Sequence, residues 1–341
     1  MTPTAAPPAR QPEPGAPPPA LRVEGLTVDL TTPTGELRAV DGVGFSVHKG
    51  RTLALLGESG CGKSMTAQAV VGLLDPVARV TGGTAHVNGT EVLGLSRSQR
   101  ARLAGPVLSI VFQDALTAMN PVRTVGAQLA EPFRIHRGLS RRAARERAVE
   151  LMDGVGIPEP RARARSYPHQ FSGGMRQRLL IAMAVALEPD VLIADEPTTA
   201  LDVTVQAQVM ELLADLQARQ GMALVLITHD LSVVAEHADE VAVMYAGHVV
   251  ETGPVTEVFT HPRHPYTRGL LDSVPERAAK GRPLHAVPGS PPELGSIPTG
   301  CVFQSRCPLA ADVCAAERPR PRPTGPSRAA ACHRSEELAS D

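Results

Sequence analysis

The 341 residues carry 34 Lys and Arg against 35 Asp and Glu, a formal net charge of −1. That balance lacks the basic excess by which a nucleic-acid partner usually shows, so no nucleic acid is expected among the partners. Hydrophobic residues at 43% supply a sizeable core and exclude wholesale disorder, while no apolar run approaches the roughly 18 residues of a spanning helix.

Residues 1–20 are rich in Pro and Ala, with almost nothing to bury, and read as a disordered tail. They lack the apolar centre of a secretory signal. A membrane role would then come through a partner. The five cysteines are expected in a reducing compartment, where disulfides are disfavoured and metal binding is an option.

From Leu21 the chain turns to short β-rich runs: Leu21 to Leu30, Val40 to Val47 and Thr52 to Leu56. A glycine loop over residues 57–64 follows, then a helical stretch to Leu74. Val107 to Phe112 reads as a buried strand. Between Asn120 and Pro168 the Ala-, Arg-, Leu- and Glu-rich chain has helical spacing, as across Arg141 to Met152, and reads as a helical insertion. A helix (Gly174 to Leu187), a strand (Val191 to Ala194), a helix (Val203 to Gln220) and a strand (Ala223 to Ile227) come next. Such alternation predicts an α/β layer with a largely parallel sheet. Val241 to Glu251 predicts a closing hairpin turned at Ala246-Gly247. Beyond about Phe259, Pro, Arg and four of the five cysteines crowd into a C-terminal segment too poor in apolar residues for a strong core of its own.

The loop Gly57-Glu58-Ser59-Gly60-Cys61-Gly62-Lys63-Ser64 fills every fixed position of a phosphate loop, between a strand and a helix. Its glycines let backbone N–H groups turn onto phosphate oxygens. Lys63 would set its charge on the β- and γ-phosphates and Ser64 its hydroxyl on Mg²⁺. The buried run Val191 to Ala194 delivers two carboxylates at its C-terminal end, where ligands bind in open α/β sheets. Asp195 would hold Mg²⁺ and Glu196 would polarise the attacking water. Ser172-Gly173-Gly174 at a second helix N-terminus makes another anion site. One nucleotide does not need two such sites from one chain. Two chains facing head to tail would. An ordinary cap by Ser172 is the bland reading of the same residues.

The phosphate loop, Ser172-Gly173-Gly174-Met175-Arg176-Gln177-Arg178 and Asp195-Glu196-Pro197-Thr198, in this order, resemble the ATP-binding-cassette ATPases. The resemblance covers roughly residues 21–260. It implies an α/β, P-loop NTPase cassette with an N-terminal antiparallel β subdomain, a helical subdomain over about 114–170 and a small C-terminal extension over 261–341. It also implies further site residues. Gln113 would be the glutamine that contacts Mg²⁺ and water, Asp202 of Ala200-Leu201-Asp202 a dimer contact, and His229 the switch histidine on the γ-phosphate. ATP with Mg²⁺ would be bound between two cassettes. Leu37 stands about where many members stack adenine on an aromatic ring.

Phe112-Gln113-Asp114 with Asn120-Pro121, Tyr167-Pro168-His169-Gln170-Phe171 and His261-Pro262-Arg263-His264-Pro265-Tyr266-Thr267 resemble oligopeptide and dipeptide importer subunits, with nickel importers as the near rival. That implies two transmembrane permease subunits, an extracellular solute-binding protein and a place at the cytoplasmic face of the plasma membrane. A soluble cassette acting on ribosomes or DNA would usually carry two cassettes or long arms. A non-hydrolysing cassette would lack Glu196, Ser172 or His229. Some members of the peptide-importer branch carry an iron–sulfur cluster in the extension. Cys301, Cys307, Cys314 and Cys332 are thus candidate ligands of a [4Fe–4S] cluster, and their gaps of five, six and seventeen residues depart from usual zinc pairs. Structural zinc remains the rival, since four thiolates suit it too.

Overall fold

The computed structural model describes residues 18–33, 35–199, 201–274 and 287–339. Most of the expected N-terminal tail, and Ala200, lie outside the described residues. Among the described residues the strands in chain order are β1 (Leu21–Thr32), β2 (Gly35–Val47), β3 (Thr52–Leu56), β4 (Ala78–Val87), β5 (Thr90–Glu91) and β6 (Leu108–Val111). They continue with β7 (Val191–Asp195), β8 (Ala223–Thr228), β9 (Glu240–Tyr245), β10 (His248–Pro254), β11 (Arg322–Gly325) and β12 (Arg328–Ala330).

Two sheets result, a four-stranded one in the order β2-β1-β4-β5 and an eight-stranded one in the order β11-β12-β10-β9-β3-β8-β7-β6. The small sheet is antiparallel throughout. Strand β4 departs from the expected pattern because its Thr-Gly-Gly centre hides the alternation that marks a strand. Gly83 there has φ 88°, and a Cβ on it would meet the Gly25 backbone at 2.5 Å. Glycine lets β1 and β4 close over that irregularity.

In the large sheet β9, β3, β8, β7 and β6 run parallel. Each of β3, β7 and β8 is buried along its whole length, which explains continuous apolar runs where a half-exposed strand would alternate. The β9–β10 hairpin turns at Ala246-Gly247, both at positive φ, as its sequence predicts. The helix Lys63–Val71 ends three residues before the expected Leu74. Gly72 takes the left-handed conformation there, and its N–H and that of Leu73 cap the last carbonyls.

Helices Val125–His136 and Arg141–Gly154 form the insertion. They share an apolar core with the helix Gly173–Val185, through Leu129, Phe133, Met152 and Leu179. The C-terminal segment has no such core of its own. Strand β12 pairs antiparallel with β10 and so lengthens the large sheet. Val302, Phe303 and the buried Cys301 and Cys314 join Ala54, Leu56, Val243 and Tyr245 in one apolar cluster. On β10, Glu251, 1% exposed, accepts from the backbone N–H of Arg263 and His264 and from Arg328. No helix among the described residues is long and apolar enough to cross a membrane.

Candidate functional site

Parallel β3, β6, β7 and β8 all end at one edge of the sheet. Adjacent ends lie in register: Leu56 beside Thr228, Asp195 beside Ile227, and Val111 beside Ala194. The candidate residues therefore arrive from four neighbouring strands that would otherwise leave them far apart in sequence.

After β3 the loop packs against β9. A Cβ on Gly57 would sit 2.2 Å from the carbonyl oxygen of Met244, so only glycine fits. Gly60 at φ 79° and Gly62 at φ 102° turn the backbone around the loop. Lys63 is 4% exposed, and its Nζ donates to the carbonyls of Gly57 at 2.8 Å and Glu58 at 3.0 Å. Cys61 lies under the loop, where burial pushes its thiol up. The helix that starts at Lys63 has no side-chain cap hydrogen bond and no acidic residue in its first turn, which leaves its positive dipole end to an anion.

Ser64 Oγ donates to Asp195 Oδ1 at 2.9 Å. Asp195 is buried at the end of β7. Burial raises its carboxyl above the usual range against the Ser64 hydrogen bond, with Glu196 adding to the rise and Lys63 opposing it. A hydroxyl and a buried carboxylate side by side are a fitting oxygen pair for Mg²⁺. Gln113, two residues beyond the end of β6, reaches Glu196 with its side-chain amide: Nε2 donates to Oε2 at 2.9 Å.

Glu196 stands at φ 45°, a left-handed conformation that costs a non-glycine residue free energy and turns the side chain off the strand. Its carboxylate also accepts from Thr199 Oγ1 at 2.9 Å and lies 3.4 Å from Nδ1 of His229. His229 itself is largely exposed on the loop after β8. Gln113, Thr199 and His229 thus converge on one carboxylate. Thr199 was missed in the sequence reading, although its place three residues after Glu196 is the spacing of a reach-back hydrogen bond.

Ser172, Gly173 and Gly174 are placed elsewhere. Ser172 Oγ accepts from the N–H of Met175 at 3.3 Å, so the capping expected of it does occur. Gly174 packs against Val205, where a Cβ would meet Cγ1 at 2.5 Å. Asp202 caps the helix Val203–Gln220 through Val205 N–H at 3.0 Å. These two helix starts therefore form one surface, with Ser172 and Gly173 exposed and Val203 83% exposed. Among the described residues no hydrogen bond joins Ser172–Gly174 to the phosphate loop. Leu37 is half-buried on β2.

The expected metal site in the extension finds no support among the described residues. Cys301, Cys307, Cys314 and Cys332 are gathered into one region, where Cys307, Cys301 and Cys314 all raise the Cys332 thiol. Burial, the larger cause, pushes that thiol up to about 11. Yet among the described residues no three His, Cys, Asp or Glu side chains are arranged to hold a metal ion. Cys301 and Cys314 are instead packed into the apolar cluster, bridged by the Cys301 N–H donating to the Cys314 carbonyl at 2.7 Å.

Comparison with known proteins agrees with this arrangement. Residues 40–199 match the ABC transporter family, and residues 250–314 match the oligopeptide/dipeptide transporter C-terminal region. The dipeptide transport ATP-binding protein DppD of Bacillus subtilis (strain 168) is 50% identical over 86% of this chain and 88% of its own. The oligopeptide transport ATP-binding protein OppD of Escherichia coli (strain K12) is 48% identical over 92% of both chains. A solved dimeric ATP-binding cassette in a post-hydrolysis state, bound to ADP and phosphate, superposes with a TM-score of 0.62 at 25% identity. It covers 69% of this chain and 98% of that one. With a relative at this identity over nearly its whole length, the chain belongs to the ATP-binding-cassette ATPases of the ABC transporter family.

Proposed function

We propose that this chain is the ATP-hydrolysing subunit of a membrane importer for oligopeptides or dipeptides, working as one of a pair of cassettes at the cytoplasmic face of the plasma membrane. One observation carries the pairing. The phosphate loop and the carboxylates are gathered at one sheet edge, whereas the second anion-binding helix start leaves Ser172 and Gly173 exposed, with Gly174 packed on Val205 of the helix that Asp202 caps. A partner cassette, turned head to tail, would bring its own Ser172–Gly174 over this chain's nucleotide.

Within that dimer each residue has a chemical task. Lys63 and backbone N–H groups at the Gly62–Ser64 end of the loop bind the β- and γ-phosphates. Ser64 and Asp195, with Gln113, would hold Mg²⁺, which would supply positive charge against the phosphates. Glu196 accepts a proton from the attacking water, and Gln113 and Thr199 hold its carboxylate in place for that. His229, beside Glu196, would hydrogen-bond the γ-phosphate. Asp202 lies at the contact with the second cassette.

Support for peptides as cargo comes from the names of the relatives and from the matched C-terminal region. The remaining partners are two transmembrane permease subunits and an extracellular solute-binding protein. Proteoliposomes holding the full chain, its permease subunits and the binding protein should take up peptide only with ATP. Hydrolysis by a chain that never copurifies with membrane subunits would overturn the reading. The hydrolytic reading needs no metal at the C-terminal thiols. Iron, zinc and acid-labile sulfide measured on anaerobically purified protein decide what those thiols take up.

A further inference from the structure

The phosphate loop is held from outside the cassette. Glu58, its second residue, is gripped by Arg306 of the C-terminal extension across 248 residues of sequence. The guanidinium meets the carboxylate as a fork, Nη1 to Oε2 at 2.8 Å and Nη2 to Oε1 at 3.0 Å. Its remaining donors reach the Pro288 carbonyl at 2.7 Å, Tyr245 OH at 3.3 Å and the Val287 carbonyl at 3.3 Å. All five N–H donors of a side chain that is 5% exposed are thereby used. The guanidinium also lies 5.6 Å from the Tyr245 ring centroid and 6.0 Å from that of Phe303.

A second grip acts on the backbone of the same residue. The Glu58 N–H donates to the hydroxyl of Tyr266 at 2.9 Å, and Tyr266 packs on Tyr245 and Phe303. Burial pushes the Tyr266 phenol up, so it stays a neutral hydroxyl. Glu58 is thus fixed by side chain and by backbone, and its carbonyl in turn holds Lys63 Nζ. Electrostatics add a second consequence. A carboxylate in the loop would repel a triphosphate, and the paired guanidinium cancels that charge at close range.

The geometry points to Arg306 as a positioning residue for the phosphate loop: through Glu58 it sets the loop's shape and neutralises its one carboxylate, making the C-terminal extension part of the nucleotide site. This rests on the reading of residues 57–64 as an ATP-binding loop. Arginine is required because a lysine could neither span both carboxylate oxygens nor stack on the rings.

The test uses the full-length chain, with ATP, ADP and AMP affinities measured by equilibrium titration with Mg²⁺. Arg306→Gln should weaken ATP about tenfold, ADP less and AMP hardly at all, because the damage lies where the phosphates bind. Adding Glu58→Gln to it should recover most of the ATP affinity, since the stranded carboxylate is removed. Arg306→Lys should fall between. A purely structural strap would lower the melting temperature of both variants and leave the order of nucleotide affinities unchanged, which would overturn the proposal. Equal losses for all three nucleotides, or a double variant worse than Arg306→Gln, would overturn it too. Lys63→Ala separates the two readings. If ATP still binds that variant normally, the loop itself has been misread. If ATP binding is lost there but unmoved by Arg306→Gln, the fault lies with Arg306 alone.

Discussion

Two helices of this chain begin with the chemistry of an anion site. One starts at Lys63 after a glycine loop, the other at Gly173 after Ser172. Neither has an acidic residue in its first turn, so both present an uncompensated positive dipole end. Their surroundings differ. At the first, Lys63 is buried, Ser64 touches Asp195, and neighbouring strand ends bring Glu196 and His229. At the second, Ser172 caps its own helix and Gly173 is open to solvent. The same local feature becomes a pocket in one place and an uncovered lid in the other, which is what a site divided between two chains requires.

Removing the chemistry of the first region should have the largest effect. Glu196→Gln keeps the size of the side chain and the reach of Gln113 but removes the proton acceptor. Turnover should fall by about 10²-fold or more while ATP-bound dimers accumulate. Near-normal hydrolysis would show that another group activates the water. Ser172→Arg acts on the second region and should spare the first. In a mixed dimer with one altered chain, one nucleotide should still bind tightly while total turnover drops at least severalfold. A strictly monomeric protein hydrolysing ATP at full rate would erase the contrast between the two helix starts.

A third test stays within the first region and reads stability. Burial lifts the Asp195 carboxyl, so its charged form is held at a cost in the folded protein. A carboxyl with a raised folded pKa contributes stability below its unfolded value of 3.8, lost as pH rises through the folded value. At neutral pH, Asp195→Asn should therefore raise the melting temperature of the nucleotide-free protein, on the order of 2 °C, while abolishing the Mg²⁺-dependent gain from ATP. A lower melting temperature would show that Asp195 supports the fold through contacts beyond Ser64.

The contrast also explains what the sequence revealed. The first region is written in contiguous residues: a loop with fixed glycines, an apolar strand ending in two carboxylates, a histidine after the next strand. Short-range steric and hydrogen-bonding rules suffice to read it. The meeting of Gln113 and His229 on Glu196 depends on strand order, which no local pattern encodes, whereas the Thr199 contact is a local one. Sequence could suggest that the C-terminal extension lacked a strong core. It could not suggest where the segment would find one, because β12 pairing with β10 and Phe303 packing on Tyr245 are contacts made across some eighty and sixty residues. Arg306 gave no signal at all, being one arginine among many in a polar stretch. The crowding of the four cysteines suggested a ligand cage but could not show that Cys301 and Cys314 also pack into the apolar cluster around Tyr245.

The smallest expected effect separates the two arginines by which the extension reaches the cassette. Arg318 donates to Asp41 on β2 at 2.9 Å and to the carbonyls of Pro298 and Gly300. His248 reaches the same carboxylate, with its Nε2 3.2 Å from Asp41 Oδ2 and its Nδ1 2.8 Å from the Ala246 carbonyl. Unlike Arg306, this side chain is 33% exposed and touches no residue of the phosphate loop. The hydrogen bond with His248, then the charges of His248, Arg38 and Arg318, hold the Asp41 carboxyl down at about 2 against the opposing effect of burial. A lowered folded pKa contributes stability above the unfolded value of 3.8, lost as pH falls through about 2. Solvent screens much of that gain for a half-exposed pair, so Asp41→Asn should cost about 1 kcal/mol at pH 7. The gap between variant and parent should narrow between pH 4 and pH 2, and ATP affinity should stay within about twofold at neutral pH. A tenfold loss of ATP affinity in Asp41→Asn would mean that both arginines act on the nucleotide. A gap that persists unchanged at low pH would mean that Asp41 acts through shape, with its charge irrelevant to the attachment.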